Sequence, residues 1–195
     1  MSAPALQTIS EEEYLRTEEE SPVRREYIWG FVYPVHGEEG PHAQAGATSR
    51  HGLICMSIGA SLYRPALKAG CRAYQSDMKV RIPQFRGVTY YYPDVVLTCE
   101  PIEDDATSIE SPCLIVEVLS PSTRNLDRRE KLLAYTDLPS LQGYLLVDTA
   151  TRAARLYTRN GEKWNEDYLE ESGVLKLPCV DVELSLDEIY EGVNL

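Results

Sequence analysis

Two acidic residues lie in apolar runs of the sequence, where a charged side chain is costly. Asp94 stands directly before Val95-Val96-Leu97, and every neighbour of Glu117 within residues 114–119 is Leu, Ile or Val. A buried carboxylate costs several kcal/mol unless a cation, hydrogen bonds or a metal ion compensate it. Lys131 stands farther along the chain and can supply a positive charge. These three side chains are therefore the first candidates for a functional site.

The three residue types suit a metal-dependent hydrolase of phosphodiesters. Mg²⁺ and Mn²⁺ take oxygen ligands and keep several waters, so the carboxylates of Asp94 and Glu117 and the backbone carbonyl of Val118 suffice as protein ligands. The metal would polarise a phosphate and acidify a water, while the Lys131 ammonium would hold that water or offset charge on phosphorus. The alternative is structural, because Glu117 can pair with Lys131 or Arg128 as a buried ion pair without any reaction.

Turn-forming residues bound both apolar runs and predict buried strands. One strand is expected over 90–98 and the next over 114–119, with Pro112 before it and Ser120-Pro121-Ser122 after it. Each of the two carboxylates is thus expected on its own buried strand.

A helix after the second strand is expected to position Lys131. It should begin near Asn125 or Asp127 and end at Pro139, and another buried strand follows at 144–147. Residues 114–147 therefore form a strand–helix–strand unit, most simply a right-handed parallel crossover. The turn after residue 119 folds this helix back onto the strand that carries Glu117.

The remaining elements follow from capping boxes, turn signals and hydrophobic periodicity. In chain order they are a short helix after Ser10, a hairpin over 25–33, a helix over 49–65, strands over 72–75 and 78–82, an outer hairpin over 153–169 and a short helix after Ser185. Glu26, at the start of the first hairpin, is either an exposed strand-end acid or part of the site. His51, in the first turn of its helix, either faces a site or lies on the surface.

Length and composition bound the class of protein. The chain has 195 residues, 43% of them hydrophobic, which suits one domain over 1–195 with a loose terminus at 1–9. No apolar run approaches the roughly 20 residues that span a bilayer, and no signal peptide is apparent, so we expect a cytoplasmic protein without a membrane partner. The five cysteines have no Cys-x-x-Cys spacing, and we interpret them as small buried hydrophobic residues.

The net charge of −12 argues at first against a polyanionic partner. The distribution of charge weakens this argument, because basic residues cluster between residues 64 and 86 and again after Glu117. The alternative is ordinary solvated charge. The candidate contacts to nucleic-acid phosphates are Lys79, Arg81, Arg124 and Arg128.

Four segments of the sequence resemble segments of known proteins. They are Tyr92-Pro93-Asp94-Val95-Val96, the run from Ile115 to Arg124, Glu130-Lys131-Leu132 and the run from Pro139 to Asp148. Together they resemble the Uma family of restriction-type endonucleases, a branch of the PD-(D/E)XK nuclease superfamily. The likeness covers roughly residues 10–190 and includes Arg25-Glu26-Tyr27, so Glu26 joins the candidate catalytic residues.

The resemblance implies an α/β fold of the restriction-endonuclease-like type, with a mixed central β-sheet flanked by helices, an N-terminal hairpin and an outer C-terminal hairpin. Asp94 and Glu117 then match the two motif acids, and Lys131 takes the role of the lysine that the wider superfamily has at the position of Leu119. DNA as the substrate and Mg²⁺ or Mn²⁺ as the cofactor are implied as well. Cutting both strands at a fixed spacing favours a homodimer.

Gly143 departs from the family pattern, because relatives often carry Glu before the Tyr-Leu-Leu-Val strand. This departure and the acidic composition leave a second hypothesis, in which the protein keeps the fold but binds partners without cleaving DNA.

Overall fold

The computed structural model of the protein describes residues 8–35, 48–119 and 130–195. The helices are α1 (Glu11–Glu19), α2 (Ser49–Lys68), α3 (Leu132–Thr136) and α4 (Leu186–Ile189). The strands are β1 (Arg25–Ile28), β2 (Phe31–Pro34), β3 (Arg72–Gln75), β4 (Lys79–Gln84), β5 (Gly87–Tyr91), β6 (Val95–Thr98), β7 (Ser108–Ile109), β8 (Pro112–Leu119), β9 (Gly143–Asp148), β10 (Ala153–Asn160), β11 (Lys163–Glu170), β12 (Val174–Leu177) and β13 (Val182–Ser185).

The described strands form mixed sheets, as the predicted fold class requires. One sheet has the order β2-β1-β5-β4-β7, a second has the order β11-β10-β9-β8-β6-β3, and β12 pairs with β13. In the second sheet β8 and β9 run parallel, with Glu117 opposite Leu146. The predicted strand–helix–strand unit is therefore confirmed in its strands and their direction. The predicted start of its helix, near Asn125 or Asp127, lies outside the described residues.

The prediction of one strand over 90–98 is wrong, because the chain changes sheets there. Tyr91 ends β5, which pairs with β4 and β1, and Val95 begins β6, which pairs with β8 and β3. Pro93 lies between them and has no backbone N–H to donate to a ladder. Asp94 consequently lies at the crossing between the two sheets, beside the end of β8.

Helix α2 covers one face of the second sheet and extends farther than predicted. Ile54, Ile58 and Leu62 pack in the same core as Val116 and Val118 of β8. The helix was expected to end near Pro65 but continues to Lys68, with Pro65 inside it. Proline removes its own N–H from the helical ladder and its ring crowds the carbonyl four residues earlier. The packing of Ala66, directly after it, in the core offsets this cost. None of the helices in the described ranges is long and apolar enough to cross a membrane.

The interpretation of all five cysteines as small buried hydrophobic residues is wrong for four of them, which form disulfides. Cys71 bonds to Cys99, and Cys113 bonds to Cys179. The partners stand 28 and 66 residues apart in the chain, so their spacing gives no local signal. Closing loops of this length stabilises a fold by roughly 3–4 kcal/mol each in the chain-entropy model. Cys55, which is buried in α2, remains a free thiol.

Candidate active site

Glu117 lies on the face of β8 opposite the one that α2 covers. Its neighbours on that face, Ile115 and Leu119, pack in a core with Tyr135 of α3. The Glu117 carboxylate is 4% exposed, and its Oε1 accepts hydrogen bonds from Lys131 Nζ at 3.2 Å and from the Tyr135 hydroxyl at 3.1 Å. The buried charge therefore has the compensation that its position in an apolar strand requires.

Lys131 bridges two carboxylates from different parts of the chain. Its Nζ lies 3.2 Å from Glu117 Oε1 and 3.1 Å from Glu26 Oε1, and it stands 5.2 Å from the centre of the Tyr91 ring. Lys131 is 6% and Glu26 7% exposed. Glu26 is therefore not an exposed strand-end acid. Strand β1 brings it to Lys131, so the ammonium is held between two acids and over an aromatic face.

Asp94 connects the site to β8 and to the first turn of α2. Its Oδ2 accepts a hydrogen bond from the backbone N–H of Val118 at 2.7 Å, and its Oδ1 lies 3.2 Å from His51 Nε2. The Sγ of Cys55, one helical turn after His51, lies 3.5 Å from the other ring nitrogen, Nδ1. Asp94 is thus fixed on both oxygens, next to the residue that follows Glu117.

The surroundings of Cys55 raise the pKa of its thiol above the ordinary value. Burial is the largest cause, and the negative charges of Asp94 and Glu117 add to it. Cys55 is therefore held as the neutral thiol.

Two of the four candidate phosphate contacts, Lys79 and Arg81, lie in the part of the chain that the structure describes. Lys79 is buried with its Nζ 5.5 Å from the centre of the Tyr92 ring, and burial lowers its pKa. Arg81 donates from Nε to Glu11 Oε1 at 2.8 Å. Both side chains therefore have partners within the protein. Arg124 and Arg128 lie outside the described residues.

Cys55 and Tyr135 contact these residues but were not predicted to do so, and His51, for which a site or a surface position was predicted, lies beside Asp94. Helical spacing relates each of them to a neighbour, although it does not tell which face of the helix meets the site. Cys55 stands four residues after His51, and Tyr135 stands four residues after Lys131, so each pair shares one helix face.

Gly143 does not leave a gap at the site. It pairs with Leu114, three residues before Glu117 on β8, which is about 10 Å along a strand. A Cβ at this position would lie 2.5 Å from Pro178 Cγ and 2.9 Å from Leu114 Cδ1. Glycine is therefore the residue that fits this packing. A glutamate here would point into the core on the α2 side of the sheet, away from the face of Glu117.

The donor groups of this site suit a divalent cation. Among the described residues, Glu117 and Glu26 contact the ammonium of Lys131, and Asp94 lies beside the ring of His51. The ligand atoms of His51, Cys55 and Asp94 all lie within 4.8 Å of one another, close enough to hold one ion. Carboxylate oxygens suit hard divalent cations, and imidazole suits transition ions.

Comparisons with known proteins agree with this arrangement. Residues 11–187 match the model of the Uma2 family, described as "Putative restriction endonuclease". The chain is 35% identical over 195 residues to the uncharacterized protein slr1290 of Synechocystis sp., covering 98% of this chain and 96% of that protein. It is 31% identical over 157 residues to sll1609 of the same organism, also uncharacterized, covering 77% and 81% of the two chains.

A solved structure shares the fold. A protein of Anabaena variabilis, described as "a putative nuclease belonging to DUF820", superimposes with a TM-score of 0.74 at 16% identity, covering 95% of this chain and 99% of that one. The mixed α/β architecture is therefore that of a restriction-endonuclease-like fold.

Proposed function

Since the chain belongs to the Uma2 family of restriction-endonuclease-like proteins, we propose that it hydrolyses DNA phosphodiester bonds with the help of Mg²⁺ or Mn²⁺. The observation that carries the proposal is the buried contact of Lys131 with Glu117 on β8, together with Asp94, which accepts a hydrogen bond from the next residue of that strand, Val118. Asp94 and Glu117 supply the carboxylate oxygens that Mg²⁺ and Mn²⁺ take as ligands, and this donor set supports a bound cation.

Each residue has a definite task in this proposal. Asp94, Glu117 and the backbone carbonyl of Val118 would hold the ion, which when bound polarises the phosphate and lowers the pKa of a water. The Lys131 ammonium would orient the attacking water and offset negative charge on phosphorus. Glu26 would act through Lys131, because its Oε1 contacts the same ammonium that Glu117 contacts. The Tyr135 hydroxyl would keep the Glu117 carboxylate in one orientation.

The proposal is tested by cleavage. Purified protein is incubated with supercoiled plasmid, linear duplex and single-stranded DNA in Mg²⁺, Mn²⁺ or Ca²⁺, and the products are separated on a gel. Nicked or linear products in Mg²⁺ or Mn²⁺ are expected. The alternative function, binding without reaction, predicts a stable complex with every ion and intact DNA after long incubation.

We expect salt-sensitive binding to duplex DNA through the arginines that precede Lys131. Each lost phosphate contact should reduce the slope of log affinity against log salt by roughly 0.9, so Arg124→Ala with Arg128→Ala should reduce it by roughly 1.8. Binding is measured in Ca²⁺. Arg155→Ala, which removes a pairing with Glu166 on the outer hairpin, is the matched control. An unchanged slope in the double variant would remove both arginines from the interface.

Lys79 and Arg81 are also proposed to contact DNA phosphates, but each side chain must first become accessible. A phosphate contact by Arg81 requires it to leave Glu11, and Lys79 is buried. Single substitutions of these residues, measured in the same titration, separate their contributions from those of the arginines before Lys131.

We propose a homodimer that pairs α2 with α2 of a second copy. The outer face of this helix exposes apolar side chains at alternating spacings of three and four residues, which is the pattern of a coiled-coil seam. These side chains are Leu53, Met56, Ala60, Tyr63 and Leu67. The first turn of α2 also carries His51, so a two-fold axis along this helix would hold two sites at a fixed separation.

Light scattering should therefore give a dimer mass at micromolar concentration. Met56→Glu places a charge in the middle of the stripe and should produce a monomer, because a desolvated unpaired charge opposes association. Val174→Glu, at another exposed valine, is the control and should leave the dimer intact. A wild-type protein that stays monomeric at high micromolar concentration would refute this proposal.

Because the proposed substrate is DNA, we infer that the protein is located in the cytoplasm. The Cys71–Cys99 and Cys113–Cys179 bonds would then have to persist against a reducing thiol pool, which cytosolic disulfides seldom do.

A further inference from the structure

We infer that His51 Nε2 is a ligand, beside Asp94 Oδ1, of the ion that this site holds, and that this nitrogen makes the site prefer Mn²⁺ to Mg²⁺. The inference rests on the proposed function and names the ion that the site selects. Three observations support it: the imidazole lies beside Asp94, the Cys55 sulfur packs beside the ring, and a rigid helix carries the ring.

The separation of His51 and Asp94 suits two ligands of one ion. Metal–nitrogen and metal–oxygen bonds of about 2.1 Å at a right angle put the two ligand atoms about 3 Å apart. His51 Nε2 and Asp94 Oδ1 lie 3.2 Å apart. An ion can therefore reach both atoms with little movement of the protein. The same distance also permits a hydrogen bond from Nε2–H to Oδ1, so the other ring nitrogen has to be considered.

Cys55 supports the ring in either state. Its Sγ lies 3.5 Å from His51 Nδ1 and 4.0 Å from Nε2, so it packs beside the ring and can donate S–H to a ring nitrogen that carries no proton. When Nδ1 carries the proton, the Nε2 lone pair is available to an ion beside Asp94 Oδ1. Histidines that bind metals characteristically have such a partner on the second nitrogen, which fixes the orientation of the ring. Cys55 is therefore a positioning residue.

The turn that carries His51 is anchored at several points. The Thr48 side chain accepts a hydrogen bond from the His51 backbone N–H, and Arg50 donates to the backbone carbonyls of Thr149 and Asn194. Cys55 itself is 2% exposed in the core between α2 and the sheet. A ligand on an anchored helix loses little conformational freedom when the ion binds.

The choice of ion follows from ligand chemistry. Mg²⁺ is bound by oxygen and binds imidazole poorly, whereas transition ions accept both donors, with affinity rising from Mn²⁺ toward Cu²⁺. Replacing one oxygen by a ring nitrogen therefore penalises Mg²⁺ and leaves Mn²⁺ well bound.

Mn²⁺ binding can be followed without any reaction. We measure Mn²⁺ and Mg²⁺ affinities by calorimetry and the pulsed electron paramagnetic resonance of bound Mn²⁺, in which a directly coordinated imidazole gives a nitrogen modulation. The wild type should show this modulation. His51→Ala should abolish it and weaken Mn²⁺ about tenfold or more, whereas His51→Asp, which restores an oxygen ligand, should lower the Mn²⁺-to-Mg²⁺ affinity ratio.

Two controls keep the result interpretable. Ser57→Ala changes another residue of α2 and should leave the metal affinities and the nitrogen modulation as in the wild type. The metal-free melting temperature of each variant shows whether it is folded. Bound Mn²⁺ without nitrogen modulation in the wild type, or an unchanged ion preference in folded His51→Asp, would overturn the assignment of His51. Because these measurements use no DNA, nitrogen modulation without cleavage refutes only the proposed function. Cleavage without modulation refutes only the role of His51.

Discussion

Glu117→Gln and Asp94→Asn should each abolish both the stabilisation of the protein by Mn²⁺ and the cleavage of DNA. An ion at 100 times its dissociation constant adds about 2.7 kcal/mol to the free energy of unfolding. For a chain of this size that corresponds to a rise of about 5–10 °C in the melting temperature. Neither amide carries the charge that holds the ion, so this rise should disappear. The measurement is thermal melting with and without Mn²⁺, beside a plasmid cleavage assay.

The metal-free variants should remain folded, for reasons visible in their contacts. An Asn at position 94 keeps an oxygen to accept the Val118 N–H, and a Gln at position 117 leaves Lys131 with Glu26 as its partner. Asp104→Asn, in an exposed loop, controls for the loss of one negative charge. Normal stabilisation by Mn²⁺ in both Asp94→Asn and Glu117→Gln would rule out a shared metal site.

The special role of Glu117 could be predicted because the free-energy cost of burying a carboxylate is visible within a single strand. A carboxylate within an aliphatic strand needs compensation wherever the strand is buried, so Glu117 was conspicuous in the sequence alone. The helical return that brings Lys131 back to Glu117 follows from the usual geometry of a parallel crossover. The hairpin of β1 and β2 was also predictable from Gly30, where the backbone φ of 99° favours glycine.

The remaining features depend on contacts between distant segments. Residues 90–98 form a continuous apolar pattern, and only the pairing partners of β5 and β6 decide that the chain changes sheets at Pro93. His51 enters the site because α2 packs across β8 with its first turn over Asp94, and no periodicity within the helix fixes that rotation. The cystines likewise arise from distant pairs.

Lys131→Met should lower the rate of DNA cleavage about 100-fold or more, as expected when one group that stabilises transition-state charge is lost. Methionine keeps most of the aliphatic length of lysine, so packing against Tyr91 should survive. Without metal the variant should lose about 3–5 kcal/mol of stability, because Glu26 and Glu117 then face each other as buried carboxylates without their shared cation. Saturating Mn²⁺ should restore part of this stability, because the ion then compensates Glu117.

A second substitution separates the catalytic role of Lys131 from its structural role. Glu26→Gln combined with Lys131→Met removes one of the two buried carboxylate charges that Lys131 contacts. The double variant should recover metal-free stability, measured by chemical denaturation. Its cleavage rate should stay about 100-fold or more below that of the wild type. Glu26→Gln alone, which leaves Lys131 paired with Glu117, is the matched control. If the stabilised double variant regains cleavage, Lys131 serves only to neutralise Glu117. If folded Lys131→Met cleaves DNA at the wild-type rate, the ammonium takes no part in the reaction.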